Sequence, residues 1–130
     1  PRAGMSAPDL HELILLDEKA FRERFQGTPV MRARYGGFLR NVAVALGNTG
    51  GETSLYPLAR VLRHTEPLVR GHAAWALSRI GIRFRLERIR RILEARLYSE
   101  SEEWVSEEIE LALGEMMSSW NPTSSGTNIR

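Results

Sequence analysis

The stretch SLYPLARVLRHTEPLVRGHAAWALSRIG, residues 54–81, decides the fold of this 130-residue chain. Its first part has apolar residues at helical spacing, namely Leu55, Leu58, Val61 and Leu62. Its second part repeats small and aliphatic residues at the same spacing from Val69 to Ile80. Thr65 stands between them as the expected N-cap of the second helix. The stretch therefore predicts two amphipathic helices joined by a short turn.

Neighbouring segments repeat this pattern. ALGNTG at residues 45–50 matches ALSRIG at 76–81, and residues 104–116 form a weaker third copy. A further amphipathic helix is expected at residues 85–97, ahead of that third copy, and Gly50 and Gly81 are expected to end their helices. No segment has convincing strand alternation. Helix pairs that recur in this way stack into an all-α solenoid of about three pairs.

The pattern of residues 54–81 resembles HEAT-like repeats of the short type. We therefore expect an all-α, HEAT-like repeat domain over residues 5–120. The remaining residues, 121–130, are polar and rich in glycine, serine and threonine, so a disordered tail is expected there. Because the chain starts at Pro1 without an initiator methionine, we also expect a fragment or a trimmed chain.

Charge is distributed unevenly along the chain. Residues 22–96 contain fifteen arginines against five acidic residues, a balance of +10, whereas residues 97–130 contain seven glutamates against one arginine, a balance of −6. Arginine offers a planar fork that matches phosphate and base edges, which makes RNA or DNA a reasonable partner. A codon bias towards arginine, with the charges simply solvated, explains the same composition and stays open as an alternative.

Signals of catalysis, metal binding and membrane insertion are missing from the sequence. The chain has no cysteine, which excludes disulfides and thiolate-bound zinc or iron–sulfur clusters. Its three histidines lack metal-ligand spacing, and the glycine-rich residues 47–54 lack the lysine of a phosphate loop. No apolar run approaches about 20 residues. We expect no catalytic, cofactor or metal site in this chain, and a cytoplasmic protein.

One flank of the second helix in the opening stretch is not apolar. His72, Trp75 and Arg79 share that flank, and the preceding repeat places Asn41 and Asn48 at equivalent positions. Such a row predicts contact with a nucleic-acid backbone and base stacking. Alternatively, the rings of His72 and Trp75 fill the groove between neighbouring helices. The RNA-binding candidates, including nearby arginines, are Arg32, Arg34, Arg40, Asn41, Asn48, Arg70, His72, Trp75, Arg79 and Arg83.

Two longer strings carry a more specific resemblance. LLDEKAFRERFQGTPVMRARYGGFLRNVAVALGN, residues 15–48, and PLVRGHAAWALSRIG, residues 67–81, resemble the C-terminal HEAT-like region of epoxyqueuosine reductases, a family of tRNA-modifying enzymes. The resemblance covers about residues 10–81 and includes most of the candidate residues above.

This resemblance implies a function. Enzymes of the family use cobalamin and two four-iron clusters to reduce epoxyqueuosine to queuosine in a tRNA anticodon loop. The cysteines that bind those clusters lie in a separate module of the family enzymes. The resemblance therefore implies a C-terminal tRNA-binding module that is not catalytic by itself, with the anticodon region of tRNA and the missing N-terminal catalytic domains of an oxidoreductase as partners. The alternative is a HEAT-like scaffold that binds another protein.

Overall fold

The computed structural model of the chain describes residues 7–121, which form seven α-helices and two 3-10 turns without any β-strand. The helices are α1 (Ala7–Ile14), α2 (Glu18–Phe25), α3 (Arg34–Thr49), α4 (Leu55–Val61), α5 (Pro67–Phe84), α6 (Glu87–Ser99) and α7 (Glu103–Trp120). The 3-10 turns, Pro29–Ala33 and Glu52–Ser54, precede α3 and α4. The tail expected at residues 121–130 lies, except for its first residue, outside the described part of the chain.

The helices pack in pairs. Helix α5 packs against α3 on one side and α7 on the other, and α4 and α6 pack against α5 from the remaining side. Helix α1 packs against α3 and α4, so it forms the first pair together with α3. Three stacked pairs result, α1 with α3, α4 with α5, and α6 with α7, which confirms the predicted all-α solenoid.

Helix α5 is the centre of the core. From Val69 to Gly81, every residue except His72, Trp75 and Arg79 is buried. The core extends from α5 into all three pairs through buried aliphatic side chains such as Leu39 on α3, Leu58 on α4 and Ile109 on α7. The apolar residues at helical spacing in the opening stretch therefore form the core of the repeat, as the sequence predicted.

The ends of α5 differ from the prediction. Its N-cap is Glu66 rather than Thr65, and Pro67 takes the first helical position, where its missing N–H group costs little. The helix runs past Gly81 to Phe84 and ends where Arg85 adopts the left-handed conformation, with φ 53° and ψ 54°. Gly81 serves close packing instead, since a Cβ there would lie 2.8 Å from Cε of Met116.

Candidate nucleic-acid interface

The residues predicted to form one row lie on neighbouring helices. We call Asn41, Asn48, His72, Trp75 and Arg79 the polar row. Both asparagines are exposed on α3, and the other three are half-buried on α5. The structure therefore places all five at the surface of the layer formed by the second helices of the pairs.

Trp75 occupies the groove between α5 and α3. A Cβ on Gly47 would lie 2.5 Å from Cζ3 of Trp75 and 3.0 Å from Cα of Ala76, so this glycine allows the indole to approach the helix backbone. The indole remains half-buried, and its N–H has no hydrogen-bond partner within residues 7–121. Trp75 therefore fills the inter-helix groove and also presents one edge to the surface.

Replacing Gly47 with alanine is expected to lower the free energy of unfolding by about 1–2 kcal/mol. The added methyl group meets the indole of Trp75 and the backbone of α5, an overpacking cost of about 1–3 kcal/mol that exceeds the helix propensity gained. Thermal or urea unfolding measures the change. Gly114→Ala in α7 is the matched control, because nothing lies within 4 Å of that Cβ. The control is expected to be neutral or stabilising, and equal losses at the two sites would contradict the packing assigned to Gly47.

His72 faces α7, which packs against α5 on the side away from α3. Its Nδ1–H donates to the carbonyl of Leu68 at 2.9 Å, and its ring centroid lies 6.1 Å from that of Trp104 on α7. Trp104 is 39% exposed and packs over Gly71, as Trp75 packs over Gly47. Sequence reasoning missed Trp104, because the weak third repeat aligns it with Leu68 rather than with Trp75.

Arg79 lies at the acidic end of the surface. With Glu110, Leu111 and Glu115 it lines an open groove of about 610 Å³ between α5 and α7. No carboxylate of residues 7–121 lies within 4 Å of its guanidinium. The acidic third repeat therefore adjoins the polar row without neutralising Arg79 through a direct ion pair.

Three candidate arginines lie on the 3-10 turn before α3 and on the first half of α3. Arg32 and Arg34 are exposed, and neither makes a side-chain hydrogen bond or ion pair within residues 7–121. The backbone at Arg34 has φ 62° and ψ 164°, a conformation that residues other than glycine rarely adopt. Nε and Nη2 of Arg40 donate to Oδ1 of Asn41 at 3.3 and 3.2 Å. These three arginines keep their charge free of acidic partners.

Arg70 differs from the other candidates because its guanidinium is held inside the fold. It donates from Nε and Nη2 to the two carboxylate oxygens of Glu100 at 3.0 and 2.8 Å. Its Nη1 donates to the carbonyls of His64 and Thr65. The side chain is 10% exposed and that of Glu100 fully buried. Arg70 therefore joins the turn between α4 and α5 to the turn between α6 and α7, and is not available to RNA.

Arg83 likewise holds a helix end. Its Nη1 and Nη2 donate to the carbonyls of Gly47 and Gly50, at 2.7 and 2.8 Å. These carbonyls lie at the C-terminal end of α3, where a cation is also favoured by the helix dipole. We therefore assign Arg83 to stabilising α3 against α5 rather than to the interface.

Tyr35 and His64 form a hydrogen-bonded junction near the start of α3. The hydroxyl of Tyr35 donates to the carbonyl of Leu16 at 2.6 Å, so Nε2–H of His64 donates to the hydroxyl oxygen at 2.9 Å. Nδ1 of His64 accepts the backbone N–H of Glu66, which assigns the neutral imidazole. Burial lowers the pKa of His64, with a smaller lowering by Arg70 and an opposing effect of Glu66. Burial also raises the pKa of Tyr35 to about 12.

The chain has no cysteine to bind an iron–sulfur cluster. Among residues 7–121, no group of three or more acidic or histidine side chains could hold a metal ion. In the same range, no helix is long and apolar enough to cross a membrane.

Comparisons with known proteins agree with this geometry. The HEAT repeats family model matches residues 36–114. Epoxyqueuosine reductases from Xanthomonas campestris and Pseudomonas aeruginosa are 35% and 39% identical to the chain over 82 residues, and the enzyme from Escherichia coli is 33% identical over 78 residues. These matches cover 60–62% of the chain and 21–23% of each relative. The chain thus spans under a quarter of the length of these relatives.

A solved structure extends the comparison to the fold. The crystal structure of an epoxyqueuosine reductase with a tRNA-Tyr epoxyqueuosine-modified stem loop superposes with a TM-score of 0.75 and 26% identity, over 83% of this chain and 28% of the other. A selenomethionine-labelled epoxyqueuosine reductase gives 0.73 and 27%, over 82% of this chain and 28% of the other. The predicted resemblance is thereby confirmed in sequence and in fold. The chain belongs to the HEAT repeat family, and the relatives and solved structures named above are epoxyqueuosine reductases.

Proposed function

We propose that this chain is the tRNA-binding HEAT-like module, residues 5–120, of a cytoplasmic epoxyqueuosine reductase. In this proposal the module holds the anticodon region of the tRNA and is not catalytic by itself. Other domains of the enzyme reduce epoxyqueuosine to queuosine, and they hold the cobalamin and the two four-iron clusters. The observation that carries the proposal is the likeness of this fold to an epoxyqueuosine reductase solved with a tRNA stem loop.

The surface chemistry of the module supports this proposal. Arg32, Arg34 and Arg40, on the 3-10 turn before α3 and the first half of α3, are unpaired with acidic residues, and guanidinium groups bind phosphate oxygens through two parallel hydrogen bonds. Trp75 and the ring pair His72–Trp104 present aromatic edges further along the same layer of helices. Single-stranded RNA loops are recognised by this combination of backbone cations and rings on which bases stack.

Binding of a fluorescently labelled tRNA anticodon stem loop, measured by anisotropy, tests the proposal. We expect saturable binding to the 130-residue chain at low salt, because phosphate contacts are strongest there. An unlabelled stem loop should compete, whereas a neutral polymer of similar size should not. Absence of detectable binding at low salt would contradict the proposal for this chain.

A protein-interaction scaffold remains the second candidate, and one surface favours it. Helix α7 exposes Leu111 by 61% and Met117 by 46%, among several glutamates. Exposed apolar residues ringed by charge are typical of a protein interface. This candidate predicts a partner that stays bound after nuclease treatment and is lost on replacing Leu111 with serine. A complex that nuclease dissolves supports the tRNA-binding module instead.

A further inference from the structure

The opposite side of the solenoid carries a second cationic surface that no sequence pattern indicated. We call Tyr56, Arg60, Arg63, Arg91 and Tyr98 the α4–α6 face. All five side chains are exposed, and Tyr56 and Tyr98 are exposed by 72% and 96%. Tyr56 and Arg60 lie four residues apart on α4, Arg63 lies in the turn just after α4, and Arg91 and Tyr98 lie seven residues apart on α6. The polar row lies instead on α3 and α5.

The arginines of this face are free of acidic partners. Arg60, Arg63 and Arg91 make no side-chain hydrogen bond or ion pair within residues 7–121. By contrast, Arg90 on the other flank of α6 is bound to both Glu87 and Glu94. Two unpaired cations, Arg60 and Arg91, therefore lie on the first helices of two successive pairs, and Arg63 lies in the turn after α4.

A groove lies between α4 and α6. The groove has a volume of about 360 Å³. Small and aliphatic residues and two arginines line it, and none of its lining residues is acidic. Its lining residues are Ala59, Leu62, Arg63, Ile92, Ala95, Arg96 and Ser99. Arg60 and Arg63 also line the neighbouring cleft beside Tyr35, to which Asp17, Glu18 and Glu66 contribute carboxylates. The groove between α4 and α6 has no carboxylate in its lining, so an anionic partner is favoured there.

We infer that the α4–α6 face is a second RNA-contact surface, which binds phosphates through its arginines and stacks bases on its tyrosines. This inference rests on the proposed tRNA-binding function. RNA fits better than an acidic protein segment, because two highly exposed planar rings beside unpaired guanidinium groups suit unstacked bases. An acidic amphipathic helix would instead need an apolar groove for its apolar face, and this groove is lined partly by the small side chains of Ala59, Ala95 and Ser99.

The test compares variants of the 130-residue chain for binding of full-length tRNA. The variant Arg60→Gln, Arg63→Gln, Arg91→Gln removes the three free charges of the face. The matched control Arg22→Gln, Arg24→Gln, Arg90→Gln removes three charges that are already paired with glutamates. We expect the face variant to bind at least about tenfold more weakly than the control at 0.1 M salt, with the slope of log affinity against log salt smaller by about 2–3.

A second variant keeps every charge. Tyr56→Ala, Tyr98→Ala removes only exposed rings, so it tests stacking in a chain that stays folded, and a several-fold loss of affinity is expected. If the wild type binds tRNA and the affinities of both variants stay within twofold of the control, RNA contact by the α4–α6 face is contradicted and the proposed function stands. If the wild type does not bind tRNA, the proposed function and this inference are both contradicted. A polyglutamate peptide of similar charge that binds this face more tightly than tRNA at the same salt concentration would overturn RNA as its partner.

Discussion

Replacing Glu100 with alanine is expected to lower the free energy of unfolding by about 3–5 kcal/mol, because the buried guanidinium of Arg70 then loses its carboxylate. Glu100 also accepts a hydrogen bond from Nε of Arg96 at 3.1 Å and one from the backbone N–H of Glu102. Domains of this size are stable by about 5–15 kcal/mol, so the loss approaches the whole stability of a weak domain. Urea unfolding followed by circular dichroism at neutral pH measures it.

An exposed ion pair on α6, the helix that ends just before Glu100, provides the control. Glu94 accepts from Nη1 of Arg90 at 2.8 Å but remains half exposed, and such pairs contribute less than about 1 kcal/mol. A loss at Glu100→Ala no greater than at Glu94→Ala would contradict the role assigned to the buried pair. Replacing Arg70 with methionine and Glu100 with leucine together should recover much of the stability, since neither charge is then left unpaired.

The same carboxylate makes stability depend on pH. Burial alone would raise the pKa of Glu100, but hydrogen bonds from Arg70, the backbone of Glu102 and Arg96 outweigh it and hold the pKa at about 2 instead of 4.5. A carboxyl group whose pKa is lower in the folded state contributes its stability above the unfolded pKa. The difference in unfolding free energy between the wild type and Glu100→Gln should therefore be largest above pH 4.5 and shrink towards pH 2.

Replacing Arg32, Arg34 and Arg40 together with glutamine is expected to weaken tRNA binding by about 10–100-fold at 0.1 M salt. None of these side chains is paired with a carboxylate of residues 7–121, so each can replace a counterion on the RNA backbone. Each such contact changes the slope of log affinity against log salt concentration by about 0.7–0.9. Stability should hardly change, because none of the three has an acidic partner to lose. Anisotropy titrations with the anticodon stem loop measure the affinity.

The controls for this prediction separate local contact from net charge. The variant Arg22→Gln, Arg24→Gln, Arg90→Gln removes equal charge from arginines that are paired with glutamates, so it should weaken binding far less. Arg70→Gln should reduce stability and leave the affinity of the folded fraction nearly unchanged, because its guanidinium is buried. Equal losses of affinity in the two triple variants would show attraction by net charge alone.

The fold could be predicted from the sequence because its information is local. The apolar stripe of α5 depends on spacing within one helix, and the repeat of ALGNTG as ALSRIG is a match between two segments that is visible in the sequence itself. The predicted end of α5 at Gly81 was wrong. That glycine lies inside the helix and leaves room for the side chain of Met116 on α7. A sequence pattern cannot distinguish a glycine that ends a helix from one that allows close packing. The N-cap predicted at Thr65 was one residue early.

The candidate site could be predicted only in part, because pairing between distant residues is not visible in a sequence. The spacing of His72, Trp75 and Arg79 was sufficient to identify the residues that are not buried between Val69 and Gly81 of α5. Arg70 and Arg83 have the same charge as the exposed arginines, and only their partners, Glu100 and the carbonyls that end α3, reveal a structural role. The α4–α6 face was missed because it follows no motif.

The salt dependence of tRNA affinity tests the central claim most directly. Anisotropy titrations of the 130-residue chain with full-length tRNA, from about 50 to 300 mM salt, give the slope of log affinity against log salt concentration. If the unpaired arginines hold the RNA backbone, we predict saturable binding with a slope of about −3 or steeper. A slope near zero, or no binding at the lowest salt, would contradict the assignment of this HEAT-repeat domain as a tRNA-binding module.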